Sequence, residues 1–199
     1  READRFPLAL WEAGPDILTS LLAGSLAAGL ALVLGAWLAA GRSLALAGLS
    51  LVLLAWPPAL LGLGWNVWLG GSLLLLPLGL AVRFLPLALL LLLVAYRMVP
   101  VSMDDAARMR RGSLRHRFVQ MHWPVWWVGG SLVFALACGE LTLGLLLAPP
   151  GHATLAVRVF NLNHYGQPDL VAALCLVQVA ISLSPMLATS ALIAMREAP

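Results

Sequence analysis

Lysine is absent from this chain, so all 12 of its basic residues are arginines. Acidic residues number only 9, and charged residues make up 11% of the sequence, too few to wet the surface of a soluble domain. The formal charge of +3 is too small to argue for a nucleic-acid partner. Cysteine is scarce too: Cys138 and Cys175 both lie in apolar runs, where a thiol packs as a small hydrophobe rather than joining a disulfide or metal site. No secretory signal opens the chain, because residues 1–6 mix acid and base and no small-residue cleavage site follows. The first residue is Arg1 rather than Met, which leads us to expect a piece of a longer, or a processed, polypeptide. Glycine-rich phosphate loops, nucleophile-base pairs and paired catalytic carboxylates are also missing, so the chain reads as a non-enzyme with no cofactor of its own. His152 and His164 are twelve positions apart with only Asp169 nearby, a poor metal-ligand set.

Apolar sequence fills the space that charge leaves. Hydrophobic residues make up 61% and the mean hydropathy is +0.93, which predicts an all-α, polytopic membrane protein. A bilayer crossing takes roughly 20 apolar residues. Five runs meet that length, at residues 17–40, 44–65, 72–95, 124–147 and 170–194, and together they predict one transmembrane domain over residues 1–199. Ahead of the first run, Trp11, Gly14-Pro15 and Asp16 predict an interfacial segment turning into a helix, with Asp16 near its N-terminus.

The arginines set the orientation. Gly41-Arg42-Ser43 joins the first two runs as antiparallel neighbours, and Arg42 marks that turn as cytoplasmic. Arg97, Arg108, Arg110, Arg111, Arg115 and Arg117 gather after the third run, on the same side. The N-terminus and residues 148–169, with only Arg158, then fall outside, and Arg196 falls inside. In the outer segment, residues 155–162 carry an apolar period that predicts a short interfacial helix.

Within the apolar runs a few positions stand out. Pro57-Pro58, with Gly62 and Gly64 after them, predicts either an interfacial kink or a broken helix beside a cavity. Gly24, Gly29 and Gly35, interleaved with Ala27, Ala28, Ala31 and Ala36, predict close helix packing. Arg83 and Glu140 are charges at bilayer depth, each worth about 3 kcal/mol of insertion penalty unless paired or wetted. They fall at comparable depth, so they either pair with each other or line a translocation path.

The polar island at residues 99–123 is the other interruption. Pro100 stops the preceding helix, Ser102 is an N-cap, and Asp105 completes a Ser-x-x-Asp capping box. A short helix follows from Met103, with Asp104 and Arg108 able to pair at i, i+4. Gly112-Ser113 breaks it, and a second basic piece runs to Trp123-Pro124.

This helix-break-helix order resembles the EAA loop of permease subunits of binding-protein-dependent ABC importers, whose pattern is Glu-Ala-Ala, three residues, Gly, nine residues, Ile-x-Leu-Pro. Asp105-Ala106-Ala107 stand at its head and Pro124 falls nineteen positions after Asp105, as the pattern requires. Departures are Asp for Glu, Arg111 at the glycine with Gly112 one place later, and Met121 and Trp123 at the Ile and Leu positions. The flanking stretches VRFLPLALLLLLVAYRMVP and GELTLGLLLAPPGHATLAVRVFNL are similar to the iron(III) and thiamine importer permeases. The resemblance implies a coupling loop at residues 99–123 that docks on an ABC ATPase subunit. Ala106, Ala107 and Arg108 would be its docking surface, Ser102, Asp104 and Asp105 its helix start, and Arg111, Gly112 and Pro124 the positions that set its break and register. It further implies ATP on the partner rather than this chain, a second permease half or copy, and a periplasmic or extracellular solute-binding protein. The setting would be the bacterial inner membrane and the substrate ferric iron or thiamine-like, with this chain the C-terminal half of a duplicated permease. The alternative is a degenerate or scaffold subunit that assembles without energy coupling.

Overall fold

The computed structural model describes residues 5–40, 44–69, 72–98, 121–165 and 168–197, with backbone only for 5–10, 121, 122, 196 and 197. Among them are eight helices and no strand: α1 (Arg5–Ala40), α2 (Leu44–Ala55), α3 (Pro58–Leu69), α4 (Leu75–Met98), α5 (Met121–Gly139), α6 (Leu141–Leu147), α7 (Leu155–Tyr165) and α8 (Pro168–Glu197). Three are long and apolar enough to cross a membrane, over Trp11–Ala40, Leu75–Met98 and Pro168–Met195. The count rises to five if each of two bent pairs, α2 with α3 and α5 with α6, is one span. Side chains such as Val67, Trp68 and Leu176 stand exposed on the outside, a surface matched to lipid rather than water.

The core forms where α4 meets α1 and α5. Leu80, Leu89 and Leu92 of α4 and Val133 of α5 are fully enclosed. The small residues of α1 make this possible. A Cβ on Gly35 would stand 3.1 Å from the backbone nitrogen of Leu89, so the two main chains run almost in contact there. One on Gly24 would stand 2.9 Å from Cys138 Sγ. Gly29 differs: nothing lies within 4 Å of its would-be Cβ, so it is not part of the packing face.

Residues 11–16 do not form a separate segment ahead of a helix, as their Gly14-Pro15 predicts. α1 runs straight through them with Pro15 inside it. A proline within a helix removes one backbone donor, and here that loss falls at Trp11, whose side chain is exposed near the start of the helix. Asp16 is therefore a mid-helix residue, and its carboxylate is used elsewhere.

The second and fourth apolar runs are each two helices. The axis turns by 87° between α2 and α3 and by 64° between α5 and α6. Two 12-residue helices at that first angle, each ~18 Å long at 1.5 Å per residue, put their far ends only ~25 Å apart, against the ~30 Å of a bilayer core. Pro57 and Pro58 account for the first turn. At the second no proline is present; Glu140 takes an extended conformation, φ −75° and ψ 108°, between the two helices.

α7 forms where the apolar period predicts a short helix, and its N-terminus is capped twice. Thr154 Oγ1 accepts from the Val157 N–H at 3.4 Å, and Ser20 Oγ of α1 accepts from the Leu155 N–H at 2.7 Å. α8 lies at the edge. Only 6% of its most apolar stretch is buried, against 56% for α4, and the Ser131–Thr189 hydroxyl pair at 3.0 Å helps seat it on α5.

Candidate functional site: a polar junction at two helix breaks

Leu54 sits in the last turn of α2, and the residues three and four positions on are Pro57 and Pro58. Neither has an N–H, so the Leu54 carbonyl has no donor from its own helix. Arg83 of α4 supplies one: its Nη1 donates to Leu54 O at 3.3 Å and to Trp56 O at 2.8 Å. The guanidinium thus lies at the negative end of the α2 dipole, where a cation is stabilised. Its Nε stands 3.6 Å from Glu140 Oε2, an ionic contact beyond hydrogen-bond length. The two side chains are only 16% and 15% exposed, so water screens the pair poorly. Arg83 and Glu140, singled out as charges at depth, are brought together here. Arg83 joins both helix breaks at once, and arginine suits the role because its donors fan out from one planar group.

The same arrangement recurs at the far end of α6. Leu146 is followed by Pro149 and Pro150 at the same two offsets, so its carbonyl is orphaned in the same way. Asn66 of α3 donates to it through Nδ2 at 3.0 Å. The helices that carry this bond approach closely, since a Cβ on Gly62 would meet Leu146 Cδ1 at 2.7 Å. Two more side chains serve main-chain oxygens within the apolar layer. Gln178 Nε2 of α8 donates to Cys138 O in the last turn of α5 at 2.9 Å. Ser184 Oγ donates at 2.9 Å to Ile181 O, the carbonyl that Pro185 deprives of its helical donor.

A cavity of about 460 Å³ opens beside the second break, between Gly139, Leu141, Phe160, Val171, Cys175 and Gln178. On the same helix α7, Arg158 pairs with Asp16 at 2.9 Å and Glu12 at 3.7 Å, tying α7 to α1. A cleft of about 400 Å³ lies next to that pair, bordered by Asp16, Gly151 and Asn161. Among the described residues no group of three or more His, Cys, Asp or Glu side chains is placed to hold a metal ion.

Of the loop residues, Ser102, Asp104, Asp105, Ala106, Ala107, Arg108, Arg111 and Gly112 lie outside the described residues, as do residues 41–43. Pro124 is described, part-buried in the first turn of α5, where a missing N–H is harmless. Asn66 and Gln178 carry roles that the sequence reading did not assign. Their polarity inside apolar runs was the available signal, and the paired prolines marked the carbonyls that need donors. The junction supplies one cation, one anion and several donors to main-chain oxygens, which suits it to holding helices at an angle. No protein-family model and no curated protein matches this chain.

Proposed function

We propose that this chain is the permease subunit of a binding-protein-dependent ABC importer of the iron(III)/thiamine type. The observation that carries the reading is the nineteen-residue register from Asp105-Ala106-Ala107 to Pro124. Two others support it: the arginines that gather around that loop, and the presence of up to five candidate spans. In this reading the loop at residues 99–123 is cytoplasmic and docks on an ATPase subunit, which binds and hydrolyses ATP. Closure of the ATPase pushes the loop as a lever, and the helical body, with a second half or copy, alternates between outward and inward access in the bacterial inner membrane. A solute-binding protein delivers the substrate, ferric iron or a thiamine-like molecule, to the outer face. Ala106, Ala107 and Arg108 form the docking surface, Asp105 fixes the helix start, and Gly112 supplies the break.

The test is physical association. Asp105→Lys or Ala106→Asp is expected to leave membrane insertion intact and abolish co-purification of the ABC ATPase subunit. Undiminished co-purification by both variants would count decisively against the reading. Arg111 at the motif glycine favours one other reading, a scaffold subunit without energy coupling. That reading predicts that the unmodified chain brings down no ATPase at all.

A further inference from the structure

We propose that α3 and α6 form one moving body, hinged at Trp56-Pro57 and at Gly139-Glu140, and that Arg83 is the latch holding both hinges at their present angles. The inference concerns motion within one chain and stands whatever drives it, so it does not rest on the permease reading.

The two half-helices are joined to each other along one face. Gly62 and Asn66 are four residues apart and so lie on the same side of α3. Both meet Leu146: Gly62 by close approach, its would-be Cβ 2.7 Å from Leu146 Cδ1, and Asn66 by the 3.0 Å bond to Leu146 O. A contact that joins steric fit and a hydrogen bond at adjacent turns resists sliding and rotation together.

Their links to α2 and α5 are weaker. The N–H groups of Leu60 and Leu61 turn to Pro57 O, at 3.1 and 3.4 Å, so α3 starts its ladder afresh after the proline pair. At the other hinge Glu140 is extended, and its N–H reaches back to Ala137 O at 3.3 Å. Short breaks of this kind, where a few residues absorb the change in φ and ψ, are where helical pairs swing.

α4 provides the seat. Gly79 and Arg83, again four residues apart, lie on one face of it. Over Gly79 the surface is smooth enough that a Cβ there would come within 2.6 Å of Leu147 Cδ1. At Arg83 the same face becomes adhesive, binding Leu54 O and Trp56 O at one hinge and Glu140 at the other. The 3.6 Å ion pair is the longest of these contacts and leaves Nε without a hydrogen-bond partner among the described residues. Release therefore begins at Glu140.

Electron paramagnetic resonance on the protein in lipid nanodiscs tests both parts, in a Cys175→Ser background. Spin labels at Val67 and Leu145, both exposed and next to the bonded Asn66 and Leu146, report the distance within the α3–α6 pair by continuous-wave dipolar broadening, and labels at Val67 and Val33 report the pair against α1 by double electron-electron resonance. Glu140→Gln keeps the side-chain shape while removing its charge. It is expected to give the Val67–Val33 distribution a second population and to leave the Val67–Leu145 broadening unchanged. An unchanged Val67–Val33 distribution overturns the latch. A Val67–Leu145 broadening that changes along with it overturns the single body. Arg83→Gln is the stronger variant; should it fail to fold, Glu140→Gln alone decides.

Discussion

A helix carbonyl followed at both its third and fourth positions by proline is a debt that no local backbone can settle. Leu54 and Leu146 are both in this position, and each takes its donor from a different helix, Arg83 and Asn66 respectively. Removing either donor has a calculable consequence. Asn66→Leu leaves Leu146 O without its donor on an apolar, lipid-matched surface and is expected to destabilise the protein by about 1–3 kcal/mol in thermal or chemical unfolding. Arg83→Met strands the Glu140 carboxylate as well, a loss of about 3–5 kcal/mol by the measure of broken buried pairs. Adding Glu140→Met should recover part of that loss, which a double-mutant cycle reads directly. A charge-reversal swap, Arg83→Glu with Glu140→Arg, should recover almost nothing. Glutamate at 83 has no proton to donate to Leu54 O and Trp56 O, so a swap that restored full stability would show that the ion pair, not the carbonyls, governs this site.

Among the elements, the close contacts rest on glycines that are not interchangeable. Gly62→Ala places a methyl where Leu146 already stands and is expected to destabilise by about 1–3 kcal/mol, relieved when Leu146→Ala is added. Gly29→Ala meets nothing within 4 Å and is expected to be neutral or to stabilise by up to about 1 kcal/mol. From sequence the two look alike, each a glycine in an apolar run. Composition and period are enough to read the long apolar helices, the small-residue face of α1 and the short helix α7. They do not say that α2 and α3 meet at 87°, because paired prolines end a ladder without fixing where the next helix goes. The break at Glu140 is less legible still, since no proline marks it. It follows from a charge on one helix seeking Arg83 on another. Asn66 and Gln178 were obscure for the same reason: the chain shows which carbonyls lose a donor but not which distant side chain reaches them.

At the scale of the whole molecule, apolar surface and sparse charge give a body made for lipid, and the arginine distribution predicts its orientation. A cysteine at His152, an exposed position, should react with a membrane-impermeant maleimide added to intact cells lacking Cys175. One at Arg42 should react only after permeabilisation. Labelling at position 42 from outside, or at position 152 only after permeabilisation, would overturn the predicted topology. The pair Arg158 with Asp16 and Glu12 belongs to the same outer end in this orientation, and it fastens α7 to α1 across 142 residues of sequence.

The order in which Arg83 acquires its partners has a consequence for synthesis. The carbonyls of Leu54 and Trp56 leave the ribosome first, Arg83 next, and Glu140 much later. During that interval the Arg83 guanidinium has only the end of α2 as a partner, and the prolines that leave the Leu54 oxygen free contribute to this. A nascent chain arrested just after α4 therefore holds Arg83 by main-chain oxygens alone, and Glu140 adds the ionic partner. The end of α2 acts as a temporary counter-charge, in place before the charge it must receive.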